Sequence, residues 1–426
     1  MIHRPFQPVI IMLAIMLLAL QMLVACNGGG DDKEPTVPTD TPSAQPTVEP
    51  PGKVTITIGN HTDKSGVAAN AMQYIDMALK DVVEYYNEKN LIPGVEVKVV
   101  EYDGQADPSK DIPGYEWLKQ KGADLIVVWF PWTLTTLRFN VEEDSIPMFG
   151  TIVRTEVLYP PGYLFITGAL VEGTAWTMVK WVAENGWDYQ AKGPAKIGGA
   201  CWDTDDGDIY FDAFKRYAEL HPEQIEWVSG HIAPTGTYTW SPEVQALKDC
   251  DYVWVPSQMG NFVREYRQAG YTAKFLGSSP HLAFWGLMVD MKLWDEVDGS
   301  LFFVETEWWD EEGEVPDFIN QLLREKHPDS YERIIRAGKS YSAAINVVLI
   351  MEIIKSATEA VGPQNLDSQA IYEAAQSFTL TFDGLQRHSY SETKRASLDR
   401  IAVYEVRGSE ENIVRISDWI PIETPP

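Results

Sequence analysis

The stretch that decides the fold is ADLIVVWFPWTLTTLRFNVEEDSIPMFGT, residues 123–151. Within it Leu125-Ile126-Val127-Val128-Trp129-Phe130 is an unbroken apolar run. Such a run suits a strand buried on both faces, as in a parallel sheet. Pro131 ends it, and Thr133, Thr135 and Thr136 stand at an expected helix start. Ile146 to Phe149 supplies the next short strand. In an open α/β sheet, ligands sit beyond the carboxyl ends of the strands, where helix N-termini point N–H groups at them. The stretch therefore reads as one wall of a cleft.

Outward from this segment the same pattern repeats. Before it, 53–59, 95–102 and 123–130 read as strands, with helices at 68–90 and 115–121 between them. After it, 163–167 reads as a strand and 174–184 as a helix. A second series then begins, with strands at 196–202, 225–229, 252–255, 273–276 and 301–305. The crossovers are long enough for parallel pairing. The long helix expected over 340–360 carries an apolar stripe at Ile345, Leu349, Ile353 and Ile354. Closing strands are expected at 400–406 and 413–416.

The expected fold class is thus α/β, with two Rossmann-like lobes and parallel central sheets. Three hinge crossings are placed near 164–168, 303–307 and 381–399. The expected division is 53–166 plus 306–383 for one lobe, and 167–305 plus 384–426 for the other.

Length and composition agree with two lobes. A chain of 426 residues exceeds one ordinary core, and its hydrophobic content of 45% is that of a globular protein. The formal charge of −28 argues against nucleic acid and against docking on anionic lipid. Of the three cysteines, Cys201 follows one expected strand and Cys250 precedes another, at opposite ends of a parallel sheet. A disulfide between them is not expected, and two partly buried thiols are.

Residues 1–25 read as a targeting segment: Arg4, a short apolar core from Val9 to Val24, then Leu23-Val24-Ala25-Cys26. This resembles a bacterial lipoprotein signal, in which Cys26 is the lipidated residue. An ordinary secretory signal is the alternative. Residues 27–51, rich in Gly, Asp, Pro and Thr, read as an extended tether. Acyl chains on one cysteine would anchor the chain to a membrane without spanning it.

Several short pieces, in this order, carry a family resemblance. They are Ile58-Gly59 with Thr62-Asp63 and Ser65-Gly66, then Asp124 to Pro131 with the threonines after it. Ile146-Pro147-Met148-Phe149, Phe262 to Gly270 (FVREYRQAG) and Lys339 to Ile353 follow. The chain resembles type I periplasmic solute-binding proteins of the leucine/isoleucine/valine-binding branch, over nearly all of residues 53–426. The resemblance implies a two-lobed clamp without catalytic activity that closes on a small molecule and is recognised by ABC permease subunits. A monomer is expected. Cofactors and metals are not implied.

The chain departs from that family at sites that matter. The glycine of the Gly-Pro turn is Phe130, and Trp132 follows the proline. The carboxylate-gripping serine has only Thr133 or Thr135 in its place. The tyrosine at the start of the first second-lobe helix is replaced by Asp205, Asp206 or Gly207. Ser278 or Ser279 stands where the family has its ammonium-binding acid. A plain aliphatic amino acid is therefore not the expected ligand.

The candidate ligand contacts are read residue by residue. Thr133 and Thr135 can donate to a ligand carboxylate, or one of them can simply cap its helix. Trp132 and Trp202 are pocket walls, while Trp129 and Trp254 read as core. Asp205 or Asp206 can hold an ammonium, while Asp208 reads as a solvated N-cap. Glycine and acid fall at the wrong positions in 203–214 for an EF-hand, so no metal site is assigned there. Arg154 can contact an acid ligand, or it lies at the surface. Ser257, Gln258 and Ser278 complete the second wall.

No zinc-binding His pair, nucleophile elbow, P-loop or dinucleotide fingerprint occurs. The expectation is a solute receptor for an amino-acid-like or carboxylated small molecule, aromatic ones included. A sensing subunit signalling to a membrane partner is an alternative, and a hydrolase using Asp203 or Asp206 is a further one.

Overall fold

In the computed structural model of the protein, residues 52–204 and 206–426 are described. The targeting segment, Cys26 and the tether lie outside them, as does Asp205. The first sheet is built from β1 (Val54–Thr62), β2 (Val95–Asp103), β3 (Leu125–Val128), β4 (Met148–Gly150) and β5 (Leu164–Ile166). Its order is β2-β1-β3-β4-β5 and every pair is parallel. All four residues of β3 are buried, as the unbroken apolar run requires of a central strand covered on both faces.

The second series supplies β6 (Ala195–Trp202), β7 (Ile225–Ala233), β8 (Tyr252–Trp254), β9 (Lys274–Ser278) and β10 (Leu301–Val304). From β10 the chain returns to the first sheet. There the helix Ala344–Val361 packs on the helix Ala69–Glu88 that follows β1. Tyr86 donates to Glu352 at 2.7 Å across that contact, and Tyr341, in the turn before the helix Ala344–Val361, donates to Asp81 at 2.7 Å.

A hairpin follows, β11 (Thr379–Phe382) and β12 (Leu385–Ser389). The chain then rejoins the second sheet as β13 (Arg400–Arg407), β14 (Asn412–Arg415) and β15 (Ile420–Pro421). The second sheet runs β14-β13-β10-β9-β8-β6-β7, parallel from β10 to β7 and antiparallel at β13 and β14. The molecule is α/β, two sheets each wound with helices.

Three segments run side by side between the sheets. Ile166 donates its N–H to the Arg395 carbonyl at 2.7 Å, and Leu398 donates to that of Gly168 at 3.1 Å. The Arg387 guanidinium reaches the Glu305 carbonyl and pairs with the Glu307 carboxylate at 2.6 Å. Burying that ion pair is tolerable because Arg387 also stacks over Trp419 at 3.6 Å.

Cys201 and Cys250 are both buried and not bonded to each other. Elements absent from the sequence reading are short: helices Tyr189–Lys192, Ser279–Ala283, Trp285–Asp290 and Tyr331–Arg336, the strand Ile420–Pro421 and the hairpin β11–β12. Such lengths hold too little periodicity to read. Among the described residues, no helix is long and apolar enough to cross a membrane.

Candidate functional site

A cavity of about 270 Å³ lies between the carboxyl ends of the two sheets, and residues of both line it. The first-sheet wall comes from the ends of β1 and β3 and the helices after them. Val67, Met72, Ile75, Trp129, Phe130 and Trp132 form it. A buried polar chain sets the Trp129 ring. Its indole N–H donates to Asn60 at 2.9 Å, and Asn60 donates to Asp76 at 2.7 Å, which also accepts from Thr62. Burial pushes the Asp76 carboxyl up to about 6. Phe130 and Trp132 stack with ring centroids 4.6 Å apart, so Pro131 separates two rings of one aromatic plate.

The second-sheet wall is polar at its edge and aromatic behind. Trp202, at the end of β6, donates its indole N–H to the Thr237 carbonyl at 3.1 Å. Tyr210 stacks on Trp254 at 3.8 Å. Ser257 and Gln258 follow β8, and Ser278 ends β9. His281 accepts the Ser278 N–H at Nδ1 and donates from Nε2 to the Val255 carbonyl at 2.8 Å. Burial holds it down to about 4, so it is neutral and its tautomer is fixed.

At the crossings Glu305, Lys339 and His388 also reach the cavity. Ser279 donates its hydroxyl to Glu305, and burial raises that carboxyl. Lys339 spends its ammonium on the carbonyls of Thr306 and Glu307, and burial brings it down to about 8. Burial, with help from Arg387 and Lys394, depresses His388 to about 3.

Six residues singled out from sequence line this cavity: Trp132, Trp202, Asp206, Ser257, Gln258 and Ser278. Thr133 does not. It is buried and donates to Asp111 at 2.9 Å, inside the first-sheet side. Thr135 is exposed and donates back to the Pro131 carbonyl at 3.1 Å. Neither hydroxyl caps the helix Pro131–Asp144, whose cap residue is Phe130. Arg154 lines nothing in the cavity. It reaches across to Asp206 at 3.3 Å and Asp208 at 2.7 Å, tying the two sides together. Gln258 makes a second tie, donating to the Val67 carbonyl at 2.9 Å. Asp203 braces its own loop by accepting the Thr235 N–H at 3.0 Å.

Trp129 and Trp254, read as core, are core and cavity lining at once. Tyr210, His281, Glu305, Lys339 and His388 were missed. For Glu305 a signal existed: it is the first residue past β10, and strand carboxyl ends are where ligands bind. The others lie on helices or at the crossings, where no local pattern marks them.

The sequence profile of the periplasmic binding protein family matches residues 55–411. The chain belongs to the periplasmic binding protein family. It is a type I member, a solute-binding and non-enzymatic class. No curated protein sequence matches it.

Solved structures similar to this periplasmic binding protein include a Thermus thermophilus branched-chain amino acid ABC transporter protein with bound valine. The TM-score is 0.74 at 15% identity, over 87% of this chain and 97% of that one. A Rhodopseudomonas palustris solute-binding protein in complex with 3,4-dihydroxybenzoic acid gives 0.71 at 16%, over 87% and 99%. A fatty acid ABC transporter substrate-binding protein from Thermomonospora curvata gives 0.68 at 16%, over 87% and 93%. At these identities the likeness is one of fold, and the three ligands named are chemically unalike.

Proposed function

We propose that this protein is an extracytoplasmic receptor of an ABC importer, held to the membrane by lipid on Cys26. Its proposed ligand is a small amino-acid-like or carboxylated molecule with an aromatic or apolar body. The observation that carries the reading is the cavity itself, lined from both sheets and ringed by Trp129, Phe130, Trp132, Trp202 and Trp254. A guest touching both sides stabilises the closed form by its differential affinity for it, which is what a permease can read. The lobes that close are 53–166 plus 306–383 and 167–305 plus 384–426, acting as a monomer.

A thermal-shift screen of amino acids, aromatic acids and aromatic amines, followed by calorimetry, tests this. A binder should quench the cleft tryptophans with 1:1 stoichiometry. Silence across the whole screen would refute the receptor reading. Metabolic labelling with a radioactive fatty acid should mark the natural chain and not a Cys26→Ser variant. Sensing instead of import is favoured by no particular observation here, and Asp203 is committed to its own loop.

A further inference from the structure

The charges around the cavity say which end of a ligand is gripped, given the receptor reading above. Five acidic or basic residues line it among those described: Asp206, His281, Glu305, Lys339 and His388. Four are already accounted for. Asp206 faces the Arg154 guanidinium. The two histidines are uncharged at neutral pH. Lys339 is buried and donates to two backbone carbonyls.

Glu305 differs. It remains partly open to the cavity while shielded from bulk solvent, and its side chain takes a hydrogen bond from Ser279. It makes no ion pair within 4.0 Å among the described residues. Lys339 and Arg387 are near enough to soften its charge, yet Arg387 is paired with Glu307.

A carboxylate, by contrast, finds one cation in the lining among the described residues, Lys339, and that ammonium already donates to two carbonyls. Arg154 is held by two aspartates. Thr133 and Thr135 turn to Asp111 and to the Pro131 carbonyl, and Pro131 itself has no N–H. The indole nitrogens of Trp132 and Trp254 are covered by protein atoms. The rest of the lining is aliphatic groups, neutral hydroxyls and amides such as Ser342 and Asn346, and ring faces, whose negative π-clouds attract cations.

We infer that the ligand is anchored by an ammonium group on Glu305, its aromatic or apolar body lying among the tryptophans, with no uncommitted cation among the described residues to grip a carboxylate. The class of ligand is therefore an aralkylamine or a related amine. This anchor stands at the end of β10, not after β9 where Ser278 and Ser279 lie.

Calorimetry on the full chain with three probes of matched body tests it: 2-phenylethylamine, phenylalanine and 3-phenylpropanoate. The amine should bind at least as well as the amino acid. The acid should bind about 10- to 100-fold more weakly, the weight of one charge-assisted hydrogen bond. Glu305→Gln should cost the amine a similar factor at unchanged melting temperature, and Glu305→Asp should restore part of it. Tighter binding of 3-phenylpropanoate than of the amine overturns the inference but leaves the receptor reading standing. So does amine affinity that ignores Glu305→Gln. Failure of every compound in the wider screen removes both.

Discussion

The two walls of the cavity are built by the same rule and to different ends. Each is formed where parallel strands stop and helices begin, yet the first-sheet wall is nearly all hydrocarbon and ring. The second carries hydroxyls, an amide and, at its edge, a carboxylate. Burial of apolar surface is non-directional, so the first wall can hold many bodies of similar size. Hydrogen bonds and charge are directional, so discrimination belongs to the second wall and the crossings. On the receptor reading proposed above, a single guest has to satisfy both, and that double demand would couple binding to closure.

The comparison is broken most severely at Trp129. Its ring belongs to the core of the first side as well as to the cavity, and its N–H continues the Asp76–Asn60 chain. Trp129→Ala should cost about 3–5 kcal/mol of stability, as large aromatic truncations in cores do, measured by urea denaturation. Trp132, only half-buried, should separate grip from stability. Trp132→Ala should leave the denaturation midpoint close to wild type. It should weaken ligand binding by about 1.5–3 kcal/mol, the worth of one buried large side chain. An unchanged affinity would remove Trp132 from the binding wall.

Acid sharpens the contrast, because the two walls respond with opposite sign. His281 and His388, behind the second wall and at a crossing, are depressed to about 4 and about 3 by burial. Their contribution to stability is complete above the unfolded histidine value and is lost as pH falls through that window toward the folded values. The slope is at most about 1.4 kcal/mol per pH unit for each. Asp76 and Asp111, behind the first wall, are raised to about 6. Their contribution is complete below the unfolded aspartate value and is lost as pH rises through about 6. In a pH series of melting curves, His281→Gln should flatten the acid limb between about pH 6.5 and 4. Asp76→Asn should instead change the slope between about pH 4 and 6. An acid limb untouched by the histidine change would mean that His281 is not buried neutral.

How far these walls were legible follows from where each residue sits. Apolar runs such as LIVV and the switch from one periodicity to another mark strands and helices locally, so both sheets could be read from order alone. Strand ends then located Trp132, Trp202, Ser257, Gln258 and Ser278, because the fold places ligands there. What could not be read was side-chain direction. A threonine at a helix start looks alike whether it faces a ligand or, as Thr133 does, a buried aspartate 22 positions earlier. Glu305 and Lys339 depend on the crossings, where segments far apart in sequence meet, and no period in one strand encodes that meeting. Arg154 illustrates the same limit. Its partners lie 52 and 54 residues on, across the cavity, a pairing that no local pattern encodes.

That arginine also supplies the smallest expected effect. Arg154 with Asp206 and Asp208, and Gln258 with the Val67 carbonyl, are two ties between the walls, one charged and one neutral. The charged tie is about one-third exposed at Arg154 and more so at Asp208, so solvent screens it to roughly 0.2–1 kcal/mol. Asp208→Asn should thus weaken apparent ligand affinity by at most about fivefold, through loss of the closed form and not of a ligand contact. Raising salt toward 1 M, where the Debye length shrinks to about 3 Å, should bring wild type down to the variant. Gln258→Ala should produce a shift of similar size that salt leaves alone, since no charge is involved. If instead both variants respond to salt alike, or Asp208→Asn lowers affinity tenfold or more, Asp208 is contacting the ligand and the charged tie is part of the second wall's reading surface.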